Sequence, residues 1–376
     1  MKTSKEKFLL TAILLTFVGV LLVGVVIVAG IIFLNEKTIV VPDDKPTIQD
    51  AVDVAEPGDI ILVKASGSPY LENVIIDKDD IKLIGTKVEP ILDGAGSGIG
   101  IDIDGQSGVL VQNFIIQNYD QGISLVDSDT TMFKGNTVTL TSEEAINIEG
   151  SDSNVFKKNS VTNNESEGIK LTDSDTNKFE GNTVALNEDE GIQLEDSNSN
   201  MLKKNIVTGN REGIKLITAE NNVFKGNTLN ENTSESIQLE DNSNTNVFKG
   251  NTVTLGAAEG IQIEDSNSNT FIRNTLTQNR EGFSLEDSNG NTFKGNTVTL
   301  SENEGIKTED SDGNLYKGNT VNVNGAEGIL FSADSTGNDV FFNRAFGNVD
   351  DDIFDGDTNN FKGNKCDNSN KPNICN

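Results

Sequence analysis

Residues 136–158 read NTVTLTSEEAINIEGSDSNVFKK, and near-copies of this stretch recur about every 23 residues along the chain. Phe133, Phe156, Phe179, Leu202, Phe224, Phe248, Phe271, Phe293 and Tyr316 each stand three residues before an asparagine, from Asn136 to Asn319. Each copy carries three short strand signals, at 137–140, 145–149 and 154–157 in this one, with Ser, Glu, Gly and Asp between them. Strands this short cannot make an independent sheet. Stacked in register at ~4.8 Å per rung, they form three parallel sheets around one core. The reading is all-β: a single-stranded parallel β-helix, a three-sheet solenoid of about a dozen rungs of 22–24 residues.

The inward columns can be followed down the chain. One runs Val138, Val161, Val184, Val207, Leu229, Val253, Leu276, Val298, Val321, and a second Ile123, Ile146, Ile169, Ile192, Ile214, Ile237, Ile261, Phe283, Ile306, Ile329. Two residues after the second stand Leu125, Ile148, Leu171, Leu194, Leu216, Leu239, Ile263, Leu285, then Thr308 and Phe331. Period 2 puts each pair on one face. The repeated asparagine is expected to tolerate a left-handed turn and to bond to its copies above and below. The glycines before the Ile column, Gly122, Gly168, Gly191, Gly213, Gly260, Gly282, Gly305 and Gly328, are expected at positive-φ corners.

The ends differ from the repeats. Ile48, Ala51, Val52 and Ala55 have helical spacing, Thr47 and Asp50 resemble a capping box, and Pro57-Gly58 stops the helix. A short helix over the first rung is what an open solenoid mouth requires. Residues 8–34 carry no charge and follow Lys2, Lys5 and Lys7. Roughly 20 apolar residues span a bilayer, so this run predicts an uncleaved transmembrane anchor, with late cleavage near Ala29-Gly30 the alternative, and everything after it outside. The divisions expected are 1–36 (cytoplasmic tip and anchor), 37–95 (cap and first rungs), 96–345 (regular repeats) and 346–376 (C-terminal cap and tail). Cys366 and Cys375, the only cysteines, close a short polar loop and are expected to form a disulfide in an oxidising compartment.

The 376 residues hold 59 acidic against 29 basic side chains, a net charge of -30. A nucleic-acid partner needs a positive surface and is not expected. Histidine is absent, which excludes an imidazole base, a Ser-His-Asp triad and any imidazole metal site.

The entry Thr47-Ile-Gln-Asp-Ala-Val, then 57–63 (PGDIILV), 70–76 (YLENVII) and 81–85 (IKLIG), resembles the start of pectin-lyase-like right-handed β-helices. Repeats such as 191–200 (GIQLEDSNSN) resemble NosD-type and carbohydrate-binding/sugar-hydrolase (CASH) repeats. The resemblance covers roughly 39–364 and implies a right-handed coil. That superfamily includes lyases, hydrolases, esterases, binding proteins and surface proteins. Its NosD members imply copper chemistry, for which this chain lacks histidine ligands. Its lyases imply carboxylates holding Ca²⁺ and an Arg base, yet none of the four arginines sits in a recognisable motif.

Candidate sites lie on the outward face of the Gly-Ile-x-Leu-Glu strand. Gln193, Gln238 and Gln262 with Glu195, Glu240, Glu264, Glu286 and Glu309 are candidates for binding an extended polysaccharide. Paired carboxylates there would also suit glycoside hydrolysis, but rungs of such constant length build no cleft walls. A corner column, Glu190, Glu212, Glu235, Glu259, Glu281 and Glu304, stacks like charges ~5 Å apart and is the candidate Ca²⁺ site. The column of Lys134, Lys157, Lys203, Lys225, Lys249, Lys294 and Lys317 reads as a soluble edge. The expected function is a membrane-anchored, extracytoplasmic, non-catalytic surface or carbohydrate-binding module. The alternatives are a polysaccharide hydrolase or lyase, and a structural spacer.

Overall fold

Each rung contributes three strands of three to six residues, and each strand pairs in parallel with its copy one rung away. The computed structural model of the chain describes residues 36–375. Among them, the strands fall into a phenylalanine sheet of 15, a valine sheet of 12 and an isoleucine sheet of 13. The candidate membrane anchor at 8–34 lies outside the described residues, among which no helix is long and apolar enough to cross a membrane.

Register follows the columns read from the sequence. Phe133 pairs with Phe156 and Phe156 with Phe179. Val138 pairs with Val161, and Ile146 with Ile169. All of these side chains are fully buried. Parallel in-register stacking forces like on like, so neighbouring rings of the phenylalanine column lie 4.5–5.0 Å apart, nearly parallel. Each such contact contributes ~0.5–1.5 kcal/mol beyond area burial. Leu202, between Phe179 and Phe224, interrupts the stack.

Buried polar ladders hold the corners. Asn159 Nδ2 donates to Asn182 Oδ1 at 3.1 Å and to the Phe133 carbonyl at 3.1 Å, and this pattern repeats down to Asn343 and Asn364. A second, unforeseen asparagine ladder runs through Asn154, Asn177, Asn200 and Asn222, whose backbone N–H groups donate to the next Oδ1 at 2.7–2.8 Å. Beside it, Ser151 Oγ accepts from the Ser128 backbone N–H and Ser174 Oγ from that of Ser151. Turns buried inside a solenoid have no water to bond, so side-chain amides supply the partners.

Two expectations about backbone geometry are corrected. The left-handed residue at the asparagine corner is the one before the asparagine: Gly135, Lys158, Gly181, Lys204, Gly226, Gly250, Arg273, Gly295 and Gly318 all have φ between +53° and +67°. The asparagine is kept for its amide alone. The glycines before the Ile column have ordinary φ. They are there for space, since a Cβ at Gly191 would come within 2.7 Å of both the Gly213 carbonyl oxygen and Val207 Cγ1. Ala145 and Ser236 fill the same position in two rungs, which a strict φ requirement would not allow.

The helix Ile48–Val54 covers the first rung, burying Ile48, Ala51 and Val52. Thr47 caps it by accepting from Asp50 N at 3.0 Å, and the Glu72 carboxylate accepts from the N–H groups of Ile48 and Gln49. At the other mouth the expected disulfide joins Cys366 to Cys375, with Cα atoms 5.3 Å apart. Ile374 is buried there, and Asp352 accepts from Asn348 and from the backbone of Asp367.

Candidate functional site

Between consecutive glycine corners the isoleucine strand points alternate side chains outward, and exact stacking lines them up. The central outward column runs Asn147, Lys170, Gln193, Lys215, Gln238, Gln262, Ser284, Lys307. On one side stand Glu149, Thr172, Glu195, Ile217 and Glu240, then Glu264, Glu286 and Glu309. On the other stands the corner column of glutamates. The face is therefore three side chains wide and polar except at Ile217.

Its centre is more deeply set than an exposed strand face usually is. Gln193 and Gln238 are each only 8% exposed, set among the side chains of the neighbouring rungs. Gln238 Nε2 donates to Gln262 Oε1 at 3.1 Å and also to Glu240. The Oε1 atoms of Gln193 and Gln238 are buried and accept no hydrogen bond from the protein, and neither do the Oε2 atoms of Glu212 and Glu281.

Lysines interleave with these acceptors. Lys170 lies 3.5 Å from Glu167 and 3.7 Å from Glu144. Lys215 lies 3.4 Å from Glu240 and 3.6 Å from Glu212, and Lys307 lies 2.7 Å from Glu309. Burial works against each ammonium, but the surrounding carboxylates outweigh it and raise all three pKa values.

Part of the corner column is paired by the chain itself. Arg211 reaches Glu190 at 2.6 Å, Glu212 at 2.5 Å and Asp189 at 2.5 Å. Arg280 pairs with Glu259. Glu235 accepts from Ser234 Oγ. Among the described residues no three His, Cys, Asp or Glu side chains gather as a metal site would require. Burial, reinforced by the charges of Glu212 and Asp189, pushes the Glu190 carboxyl up to about 7 despite Arg211. Glu264, Glu281 and Glu327 are also raised, burial first in each case.

Sequence reasoning missed Arg211 and Arg280 as partners of this column. A signal was present: both stand in an Asn-Arg-Glu-Gly run, at 210–213 and 279–282, each in a 22-residue rung. The candidates Glu195, Glu264, Glu286 and Glu309 fall on the predicted face but share no bridging cation.

No tyrosine is free to act on this face. Tyr70 donates to the Lys64 carbonyl, Tyr119 to the Glu72 carbonyl, and Tyr316 is fully buried. With no histidine in the chain, the face offers carboxylates, amides, ammonium groups, the Arg211 guanidinium and the hydroxyls of Thr172 and Ser284.

The family description "Right handed beta helix region" matches residues 99–253. The chain has the pectin-lyase-like right-handed β-helix fold. Two mutant structures of the periplasmic alginate epimerase AlgG are similar to this β-helix at 13% identity. One covers 88% of this chain and 83% of that one with a TM-score of 0.53. The other covers 81% and 83% with a TM-score of 0.50. The A-module of the mannuronan C-5 epimerase AlgE4 of Azotobacter vinelandii is 14% identical over 78% of this chain and 95% of that one, with a TM-score of 0.49. No curated protein sequence matches the β-helix.

Residues 260–374 match the family description "Periplasmic copper-binding protein (NosD)". The side chains do not fit copper. That segment has no His and no Met, and Cys366 is joined to Cys375. Met132 and Met201 lie three rungs apart on the phenylalanine sheet, ~14 Å at the usual strand spacing. Soft ligands that far apart cannot share one ion.

Proposed function

We propose that this β-helix is an extracytoplasmic polysaccharide-binding module whose binding surface is the outward face of the isoleucine sheet, around Gln193, Lys215 and Gln238. The observation that carries this reading is the pair of buried acceptor oxygens, on Gln193 and Gln238, that no protein group satisfies. A buried acceptor without a partner costs ~1–3 kcal/mol. Sugar hydroxyls arriving one rung at a time would supply the missing donors. Glutamates on both flanks would repel a polyuronate, so the ligand class is a neutral polysaccharide. The disulfide Cys366–Cys375 supports a location outside the cytoplasm.

Proton abstraction from a sugar ring needs a base and an acid on opposite sides of the substrate. No tyrosine reaches this face, and its Lys170, Lys215, Lys307 and Arg211 are held in ion pairs with the glutamates around them, which supports binding without turnover. Hydrolysis is the second reading, favoured by the Glu190 carboxyl at about 7.

The test is retention of the protein on neutral polysaccharide matrices, together with an assay for new reducing ends. Retention that is lost in a Gln193→Ala/Gln238→Ala variant, with no new ends, supports the binding module. New ends that vanish in Glu190→Gln make it a hydrolase, and no retention on any neutral polymer leaves a spacer.

A further inference from the structure

The cations of this acidic chain are not spread evenly. A column on the phenylalanine sheet runs Lys203, Lys225, Lys249, Ile272, Lys294, Lys317 in register. Beside it, at the left-handed corner, Arg273, Gly295, Gly318 and Phe342 follow one another. Earlier in the column Glu180 neutralises its neighbours, lying 2.9 Å from Lys203 and 3.4 Å from Lys157. Beyond Lys249 no acidic residue occupies either column.

There the surface sinks into a groove of about 440 Å³. Lys249, Lys294 and Lys317 form one side, Arg273 and Phe342 stand at its two ends, and no carboxylate lines it. The groove is open here because two consecutive corners are glycine. A Cβ at Gly318 would meet nothing within 4 Å, and one at Gly295 only Arg273 Cγ at 3.7 Å. None of the four cations forms an ion pair among the described residues, although the chain carries 59 acidic groups. Phe342 is 52% exposed, a large apolar ring held at the groove's end.

We propose that this groove binds a short acidic glycan carrying about one negative group per sugar. Lys294 and Lys317 are one rung apart and Lys249 and Lys294 two, so positive charge recurs at multiples of ~4.8 Å. A pyranose in an extended chain advances by a comparable distance. The exposed Phe342 ring offers a flat surface to the apolar face of a sugar, and the cavity is within the usual range for small-ligand sites. Four unpaired cations give the charge-assisted hydrogen bonds that hold anionic groups. A DNA duplex carries a charge every ~1.7 Å and needs a far broader basic surface. This site lies on a different sheet from the neutral-polysaccharide face, and its chemistry is opposite in sign.

The experiment is titration calorimetry of the protein at low ionic strength with hexameric oligogalacturonate, a sulfated hexasaccharide of the same length, and cellohexaose. Binding of one or both acidic glycans and not of cellohexaose is expected. Lys294→Gln/Lys317→Gln should weaken it by about tenfold or more, the loss of two charge-assisted contacts. Phe342→Ala should weaken it further, while Gln193→Ala/Gln238→Ala leaves it unchanged. All three groove positions are exposed, so an unaltered melting curve separates lost binding from lost fold. Absence of binding to both acidic glycans overturns the proposal, as does binding that the lysine variant leaves intact. Equal affinity for duplex DNA or for vesicles of anionic lipid through the same lysines also overturns it, in favour of a general polyanion surface or a membrane surface.

Discussion

The hydroxyls of Thr308 and Tyr316 meet at 2.8 Å inside the core, where the rungs on either side of the pair are apolar in both columns. Thr308 stacks between Leu285 and Phe331, and Tyr316 stacks on Phe293 at 4.9 Å. Each polar substitution is tolerated because the other supplies its only partner. Burial pushes the Tyr316 hydroxyl well above the usual phenol range, so it stays protonated at any ordinary pH.

Thr308→Val should therefore destabilise the protein by about 1–3 kcal/mol, the cost of a stranded buried hydroxyl. Thr308→Leu combined with Tyr316→Phe restores the pattern of the other rungs and should be close to neutral. Urea unfolding of both variants checks the pair. A double variant as damaged as the single would show that shape, not the hydroxyl bond, sets the cost.

Asn227 sits mid-ladder, donating to Asn251 Oδ1 and the Leu202 carbonyl and accepting from Asn205. Asn227→Ala strands buried groups on both neighbouring rungs and should cost about 2–5 kcal/mol. Asn359 is partly exposed near the C-terminal mouth, so Asn359→Ala should cost visibly less. Paired thermal melts measure the difference, and equal shifts would count against a ladder that draws its strength from burial.

Gly191→Ala forces a Cβ against the Gly213 carbonyl oxygen and Val207. Overpacking of this kind costs about 1–3 kcal/mol. Gly318→Ala meets open space and bears only the left-handed φ of +65°, a cost of about 1 kcal/mol. The Gly318 variant should retain the higher midpoint in urea.

Stability should rise as the medium is acidified from about pH 7 towards pH 4.5. Glu190, Glu264, Glu281 and Glu327 have folded-state pKa values raised above their unfolded value, so the folded protein binds more protons in that window. Glu180 works the other way: Lys203 and Lys157 hold its carboxyl down to about 2, so its contribution is lost only in stronger acid. Glu190→Gln should raise the melting temperature at pH 8 and leave it nearly unchanged at pH 4.5. A pH-independent difference between variant and parent would remove Glu190 as a cause.

The period of about 23 residues, and with it the three sheets, the inward columns, the capping helix and the terminal disulfide, could be read from the sequence. Uniform stacking makes position in the repeat equivalent to position in space, so a column in the alignment of repeats is a column in the molecule. What needed the tertiary structure was everything that depends on the direction and distance of side chains between columns. The Gly191 column suggests turn geometry by its composition, but its constraint is a neighbouring carbonyl. Arg211 is one residue from Glu212 in sequence, but its bonds to Glu190 and Asp189 cross a rung. The stranded oxygens of Gln193 and Gln238, and the groove between Arg273 and Phe342, exist only once the coil closes. Repetition in one dimension determines the fold, while burial, charge pairing and empty space are decided in three.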